Sequence, residues 1–92
     1  MLSACAVTNQ FEPGAKAVSV MRERSPGITM ENLKEGMVIY KRNCSSCHQL
    51  YPPAAFTQQK WEKSLKEMFP RARITDESMQ GKVRNYLYAR AK

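Results

Sequence analysis

The fold of this chain is decided by residues 33–48, which read LKEGMVIYKRNCSSCH. The apolar residues of this stretch recur at i, i+4, i+7 and i+11, a spacing that places them on one face of a helix. They are Leu33, Met37, Tyr40 and Cys44. With Thr29 or Met30 near its start, the pattern predicts a first helix over about residues 31–45.

Two more helices are predicted after this stretch. Pro52 and Pro53 remove backbone donors, so residues 49–53 are predicted to form a loop. Thr57 is a suitable N-cap for a second helix over about residues 58–68 that ends before Pro70. Its apolar face is predicted to contain Trp61, Leu65 and Met68.

The third helix is predicted to begin at Thr75 or Asp76, with acidic residues in its first turn and basic residues at its end. Its apolar face contains Met79, Val83, Tyr86 and Leu87. An alternating apolar pattern long enough for a strand is absent from the sequence, so the predicted fold class is all-α.

The N-terminal region has a different composition. Residues 1–28 contain Pro13-Gly14 and Pro26-Gly27 and no sustained apolar period, which predicts a tail or linker. Residues 29–92 are then the folded domain. Ala15 to Arg24 is expected to form a turn of helix, although its apolar residues do not make a clean helical stripe.

Size and charge set further limits. A chain of 92 residues holds one small domain, and one this short often needs a cofactor, metal, disulfide or partner for stability. The net charge of +7 favours binding to a negatively charged partner, which can be an acidic protein, an anionic membrane or nucleic acid. Among these partners nucleic acid ranks last, because no patterned basic helix accompanies the charge. No apolar run of the sequence is long enough to span a membrane.

The chemistry is concentrated in Cys44-Ser45-Ser46-Cys47-His48, a C-x-x-C-H pattern. Two thiols at this spacing can form thioethers to one edge of a haem, and the adjacent imidazole can bind the iron. A zinc site would need further Cys or His ligands after His48, and the sequence has none there. A thioredoxin-like pair would need a neighbouring strand. Covalent haem attachment is therefore the favoured interpretation.

From Asn32 to Lys92 the sequence resembles the c-type cytochromes, most strongly in Gly36-x-x-x-Tyr40-x-x-x-Cys44-x-x-Cys47-His48. The later residues look more like the compact bacterial monohaem domains. The resemblance implies a small cytochrome c-like domain of three main helices around one haem. It also implies a close helix crossing at which Gly36 and Tyr40 meet Tyr86 or Leu87.

The remaining ligands of the haem are predicted from residue type. His48 is the one histidine, so a second histidine ligand from this chain is excluded. Met68 is the favoured sixth ligand, ahead of Met79 and then Met30 or Met37. A backbone carbonyl of the Tyr51-Pro52-Pro53 loop, at Pro52 or a neighbour, is expected to accept the Nδ1 proton of His48.

Several other side chains have two interpretations. Trp61 packs against the haem or belongs to the ordinary core. Phe56 and Phe69 are expected in the core or at the haem edge. Arg71 and Arg73 could neutralise a propionate or meet an acidic partner, and a solvated face is the alternative.

These residues predict electron transfer by a protein that is not an enzyme, either a carrier or a subunit of a redox complex. The alternative is a gas-binding sensor or small haem enzyme with an open sixth position. The resemblance implies export, to the periplasm or the outer face of a bacterial membrane. Leu2-Ser3-Ala4-Cys5 resembles the end of a lipoprotein signal, so a lipid anchor at Cys5 is expected, with redox partners that present an acidic surface.

Overall fold

The computed structural model describes residues 10–44 and 50–92, and helices dominate both ranges. In chain order they are α1 (Gly14–Arg22), α2 (Met30–Cys44), a 3₁₀ turn (Pro53–Ala55), α3 (Gln58–Arg71) and α4 (Glu77–Ala89). No strand occurs in these described ranges, and the all-α prediction is confirmed. Cys5, Cys47 and His48 lie outside the described residues.

Each of the three longer helices begins at a polar cap. At the start of α2, Thr29 and Asn32 exchange backbone-to-side-chain hydrogen bonds of 3.0 and 3.2 Å, a capping-box arrangement. The predicted N-caps of the next two helices are confirmed: Thr57 accepts a hydrogen bond from the Lys60 N–H, and Asp76 accepts one from the Met79 N–H. Local side-chain chemistry therefore fixes where these helices start.

The predicted end of the second helix is wrong, because α3 continues through Pro70 to Arg71. A proline removes one backbone donor, and near the last turn this loss does not stop the helix. The end is set by Arg73, which has φ of 60°, the left-handed conformation. The N–H of Arg73 donates to the Pro70 carbonyl and the N–H of Ile74 to the Phe69 carbonyl, which is a Schellman motif.

Helices α2 and α4 cross at Gly36. A Cβ added to Gly36 would lie 2.1 Å from the carbonyl oxygen of Lys82 and 2.8 Å from the Cβ of Tyr86. The ring centroids of Tyr40 and Tyr86 are 5.9 Å apart, one turn further along α2. The expected approach of Gly36 and Tyr40 to Tyr86 is thus confirmed, and the absence of a side chain at Gly36 makes it possible.

The structure differs from the predicted N-terminal tail over part of its length. Helix α1 buries Ala17, Val18 and Met21. These side chains form a small second core with Ile28, Leu33, Ala89. Residues 14–28 are therefore packed on the domain, because this apolar patch on α1 faces an apolar patch on α2 and α4.

Two further contacts fix the chain before α1. The Tyr86 hydroxyl donates a 2.5 Å hydrogen bond to the Phe11 carbonyl, and the Arg90 guanidinium donates to the Glu12 carbonyl. The Lys41 ammonium lies 5.3 Å from the centroid of the Phe11 ring. The N-terminal segment is thus attached to α2 and α4 from residue 11 onwards.

Of the helices that the structure describes, none has the length and apolar character needed to cross a membrane.

Candidate functional site

A cavity of about 430 Å³ opens beside the C-terminal end of α2. This volume lies within the range of ~300–1,000 Å³ that is usual for sites of small molecules and cofactors. Apolar and aromatic side chains form most of its wall, and a few polar groups join them from α3. The lining residues are Cys44, Tyr51, Phe56, Trp61, Ser64, Glu67, Met68, Arg71 and Ala72.

Helix α3 contributes one side of this cavity through residues 64, 67, 68 and 71, which follow the spacing of one helical face. The adjacent face of α3 buries Trp61, Leu65 and Phe69 in the main core. The sequence prediction grouped Met68 with Trp61 and Leu65. The structure places Met68 one step around the helix, half-buried at the cavity, while Phe69 takes the core position.

Aromatic rings form another part of the wall. The Phe56 and Trp61 ring centroids are 5.1 Å apart and those of Tyr51 and Phe56 are 5.3 Å apart, both edge-to-face. Trp61 is 1% exposed, and its indole N–H donates a 2.8 Å hydrogen bond to the Pro53 carbonyl. Trp61 therefore belongs to the core and also lines the cavity, and its packing against a haem stays a prediction.

Cys44 is the last residue of α2 and is only 2% exposed. Tyr40, one turn earlier in α2, is fully buried, and burial raises the pKa of its hydroxyl well above the ordinary value for tyrosine. The first cysteine of the C-x-x-C-H motif thus lies at the cavity wall. Cys47 and His48, the other two predicted attachment residues, are outside the described residues.

The loop that follows the motif is held by hydrogen bonds to three successive carbonyls. The Tyr40 hydroxyl donates to the Tyr51 carbonyl at 2.5 Å, and the Ala55 N–H donates to the Pro52 carbonyl at 3.0 Å. The Pro53 carbonyl accepts the indole N–H of Trp61. A carbonyl oxygen has two lone pairs, so the Pro52 carbonyl can accept a second hydrogen bond beside the one from Ala55. Its expected role as the acceptor for His48 stays a prediction.

The methionines differ in their relation to the cavity. Met68 lines it. Met37 is buried in the main core, Met79 packs against that core, and Met30 packs against the second core under α1. Of the four methionines considered as sixth ligand, Met68 therefore has the position that suits a ligand in this cavity.

Charged and polar groups of the cavity come from α3. Arg71 and Glu67 line it, and both are exposed. Arg73 is exposed as well, but it lies beyond the end of the helix and is not among the lining residues. Phe69 is in the core, where the guanidinium carbon of Arg84 lies 5.3 Å from its ring centroid. Sequence reasoning missed Ser64 and Glu67. The signal that could have identified them is helical spacing, because residues 64 and 67 lie on the same face of α3 as Met68 and Arg71.

Within residues 10–44 and 50–92, no group of three or more His, Cys, Asp or Glu side chains is arranged to hold a metal ion. A buried thiol, a thioether and an arginine beside an apolar cavity nevertheless suit a haem with carboxylate substituents. Cysteine can form a thioether to haem, methionine can ligate its iron, and arginine pairs with carboxylates.

Comparison with known proteins identifies a family. The family model described as dihaem cytochrome c matches residues 40–92, more than half of the chain. No curated protein and no solved structure matches the chain. The matched family is a dihaem one, so the expectation of a monohaem family is corrected while the expectation of a c-type cytochrome is confirmed.

Proposed function

Because this chain belongs to the dihaem cytochrome c family, we propose that it transfers electrons through one haem c attached at Cys44 and Cys47, with His48 as proximal ligand. Membership of the family makes the chain a c-type cytochrome, whose haem is bound covalently. When bound, the haem iron supplies a one-electron couple between the ferrous and ferric states.

The number of haems is proposed from the sequence. The family description names two haems, whereas these 92 residues contain one C-x-x-C-H motif. A second haem would have to be attached outside them. We expect one haem per chain in a pyridine haemochrome assay of the purified protein, and a ratio of two would contradict the proposal.

The observation that carries the proposal is the cavity with Cys44 and Met68 in its wall. The thiol of Cys44 would form a thioether bond, and the aromatic side chains would exclude water from the macrocycle. The guanidinium of Arg71 would pair with a propionate. A low-polarity lining of this kind stabilises a redox centre in a fixed geometry and limits the solvent rearrangement that accompanies electron transfer.

Met68 is the proposed sixth ligand, and methionine in that position raises the reduction potential relative to a second histidine. The test is the visible and near-infrared spectrum of the oxidised holoprotein. A sulfur-to-iron charge-transfer band at the red edge is expected in the wild type and lost in Met68→Ala. Met79→Ala, which removes a methionine outside the cavity, is the matched control and should keep the band.

The same experiment distinguishes the alternative function. An open sixth position would leave the wild type without the charge-transfer band and able to bind carbon monoxide readily. That result would overturn electron transfer through a closed His48/Met68 centre. It would favour a gas-binding sensor or a small haem enzyme.

Partners and location are proposed from charge and motif. A net charge of +7 favours redox partners with an acidic docking surface, as a mobile carrier or as a subunit of a membrane-associated complex. The proposed location is the periplasm or the outer face of a bacterial membrane, with a lipid anchor at Cys5. Electron exchange with an acidic redox protein should slow as ionic strength rises, and a rate independent of salt would contradict this docking mode.

A further inference from the structure

Two buried aromatic side chains hold the loop that follows the haem-attachment motif. Tyr40 of α2 donates to the Tyr51 carbonyl at 2.5 Å, and Trp61 of α3 donates to the Pro53 carbonyl at 2.8 Å. The exposed fractions of these two side chains are 0% and 1%. Their rings pack edge-to-face with centroids 5.9 Å apart, so each ring restricts the position of the other.

The backbone between the two contacts has little freedom. Pro52 has φ of −71° and ψ of 156°, and its carbonyl accepts the Ala55 N–H of the 3₁₀ turn. The proline ring restricts φ, and hydrogen bonds to the carbonyls on either side of Pro52 restrict its neighbours. Residues 51–53 are therefore a rigid segment, anchored at one end to α2 and at the other to α3.

We propose that Tyr40 and Trp61 are positioning residues for the proximal side of the haem, acting through the carbonyls of residues 51–53. The inference rests on the proposed function, because it requires His48 to bind the haem iron. Tyr51 follows His48 by three residues in the sequence, so the carbonyls of residues 51–53 are close to the ligand along the chain. A carbonyl that accepts the second ring N–H of a histidine ligand fixes the ring and raises its basicity.

The chain offers a closely matched control in Tyr86. Tyr40 and Tyr86 are both fully buried, and each donates a 2.5 Å hydrogen bond to a backbone carbonyl. They differ in the acceptor, because Tyr86 donates to Phe11 in the N-terminal segment. Substitution by phenylalanine removes one hydroxyl from either site and retains the ring, so a general effect of losing a buried hydrogen bond appears in both variants.

The experiment compares the holoproteins of wild type, Tyr40→Phe, Trp61→Phe and Tyr86→Phe. The midpoint potential is measured by spectroelectrochemistry, and the ring protons of the proximal histidine are observed by NMR of the reduced protein. Tyr40→Phe and Trp61→Phe should raise the midpoint potential and shift the His48 ring N–H resonance, since a less basic ligand stabilises the ferric state less. Tyr86→Phe should leave both at the wild-type values.

The outcomes separate this inference from the proposed function. Wild-type protein without covalently bound haem would refute the proposed function and, with it, this inference. The positioning role alone would be overturned by a different result. In that case all variants carry covalent haem, and Tyr40→Phe and Trp61→Phe move the potential and the resonance no more than Tyr86→Phe does. Because Trp61 also lines the cavity, Trp61→Phe is judged by the His48 ring N–H resonance and not by the potential. If one of these two variants fails to fold, the other decides the question.

Discussion

Replacing Gly36 with alanine tests the helix crossing on which the domain depends. The new Cβ would lie 2.1 Å from the Lys82 carbonyl oxygen and 2.8 Å from both the carbonyl carbon of Lys82 and the Cβ of Tyr86. Ordinary contacts between carbon atoms are about 3.5–4.0 Å. The contacting atoms of Lys82 belong to the backbone of α4, so a side-chain rotation cannot relieve the overlap. The two helices must separate by roughly 1 Å.

The expected cost follows from two opposing effects. Alanine is a better helix former than glycine by about 1 kcal/mol. Overpacking of a buried contact costs about 1–3 kcal/mol and occasionally more, and a clash with backbone belongs at the upper end. The free energy of unfolding should therefore fall by roughly 2 kcal/mol, which for a domain of this size lowers Tm by about 8–16 °C.

The assay is thermal unfolding of the haem-loaded protein followed by far-ultraviolet circular dichroism. Gly81→Ala is the matched control, because Gly81 lies within α4 and a Cβ there meets no heavy atom within 4 Å. That variant should gain about 1 kcal/mol from helix propensity alone. If Gly36→Ala is as stable as Gly81→Ala, the close approach of α2 and α4 does not constrain residue 36, which would contradict the expected clash.

Three further predictions concern the N-caps, the left-handed residue after α3 and the buried Tyr86. Thr57→Ala and Asp76→Ala each remove a capping hydrogen bond and should lower the free energy of unfolding by about 1 kcal/mol, measured by urea denaturation. An unchanged free energy of unfolding would show that these caps add no stability. Arg73→Gly should raise the same quantity by roughly 0.5–1 kcal/mol, because Arg73 has a left-handed φ of 60°, and a decrease would argue against strain there. Burial raises the pKa of Tyr86 in the native state. As pH rises above about 10, the unfolded chain ionises first and stability falls; Tyr86→Phe should show a shallower fall between pH 9 and 11, and an equal fall would contradict this linkage.

The sequence was sufficient for the features that depend on local chemistry. Thr57 and Asp76 were identifiable as caps because their side chains satisfy backbone donors within three residues. The approach of Gly36 to Tyr86 was identifiable through the resemblance to c-type cytochromes. The buried positions of Leu33, Tyr40 and the other residues of the first stripe followed from helical spacing.

The features that the sequence did not predict depend on tertiary contacts. Helix α1 has a short apolar patch that is stabilised only when it packs against Leu33 and Ala89. The end of α3 depends on the burial of Ile74, which accompanies the left-handed turn at Arg73. The assignment of Met68 to the cavity and Phe69 to the core needs the orientation of α3, and both residues are apolar, so periodicity does not separate them.

The packed N-terminal segment changes what the proposed lipid anchor would do. With residues 1–28 as a free linker, Cys5 and Thr29 could be separated by about 80 Å. Hydrogen bonds from Tyr86 and Arg90 instead hold the backbone at Phe11 and Glu12. Six residue steps remain between Cys5 and Phe11, and a fully extended chain of that length spans only about 20 Å. An acylated Cys5 would therefore keep the haem domain close to the membrane surface, which favours a redox partner in the same membrane over one that diffuses freely.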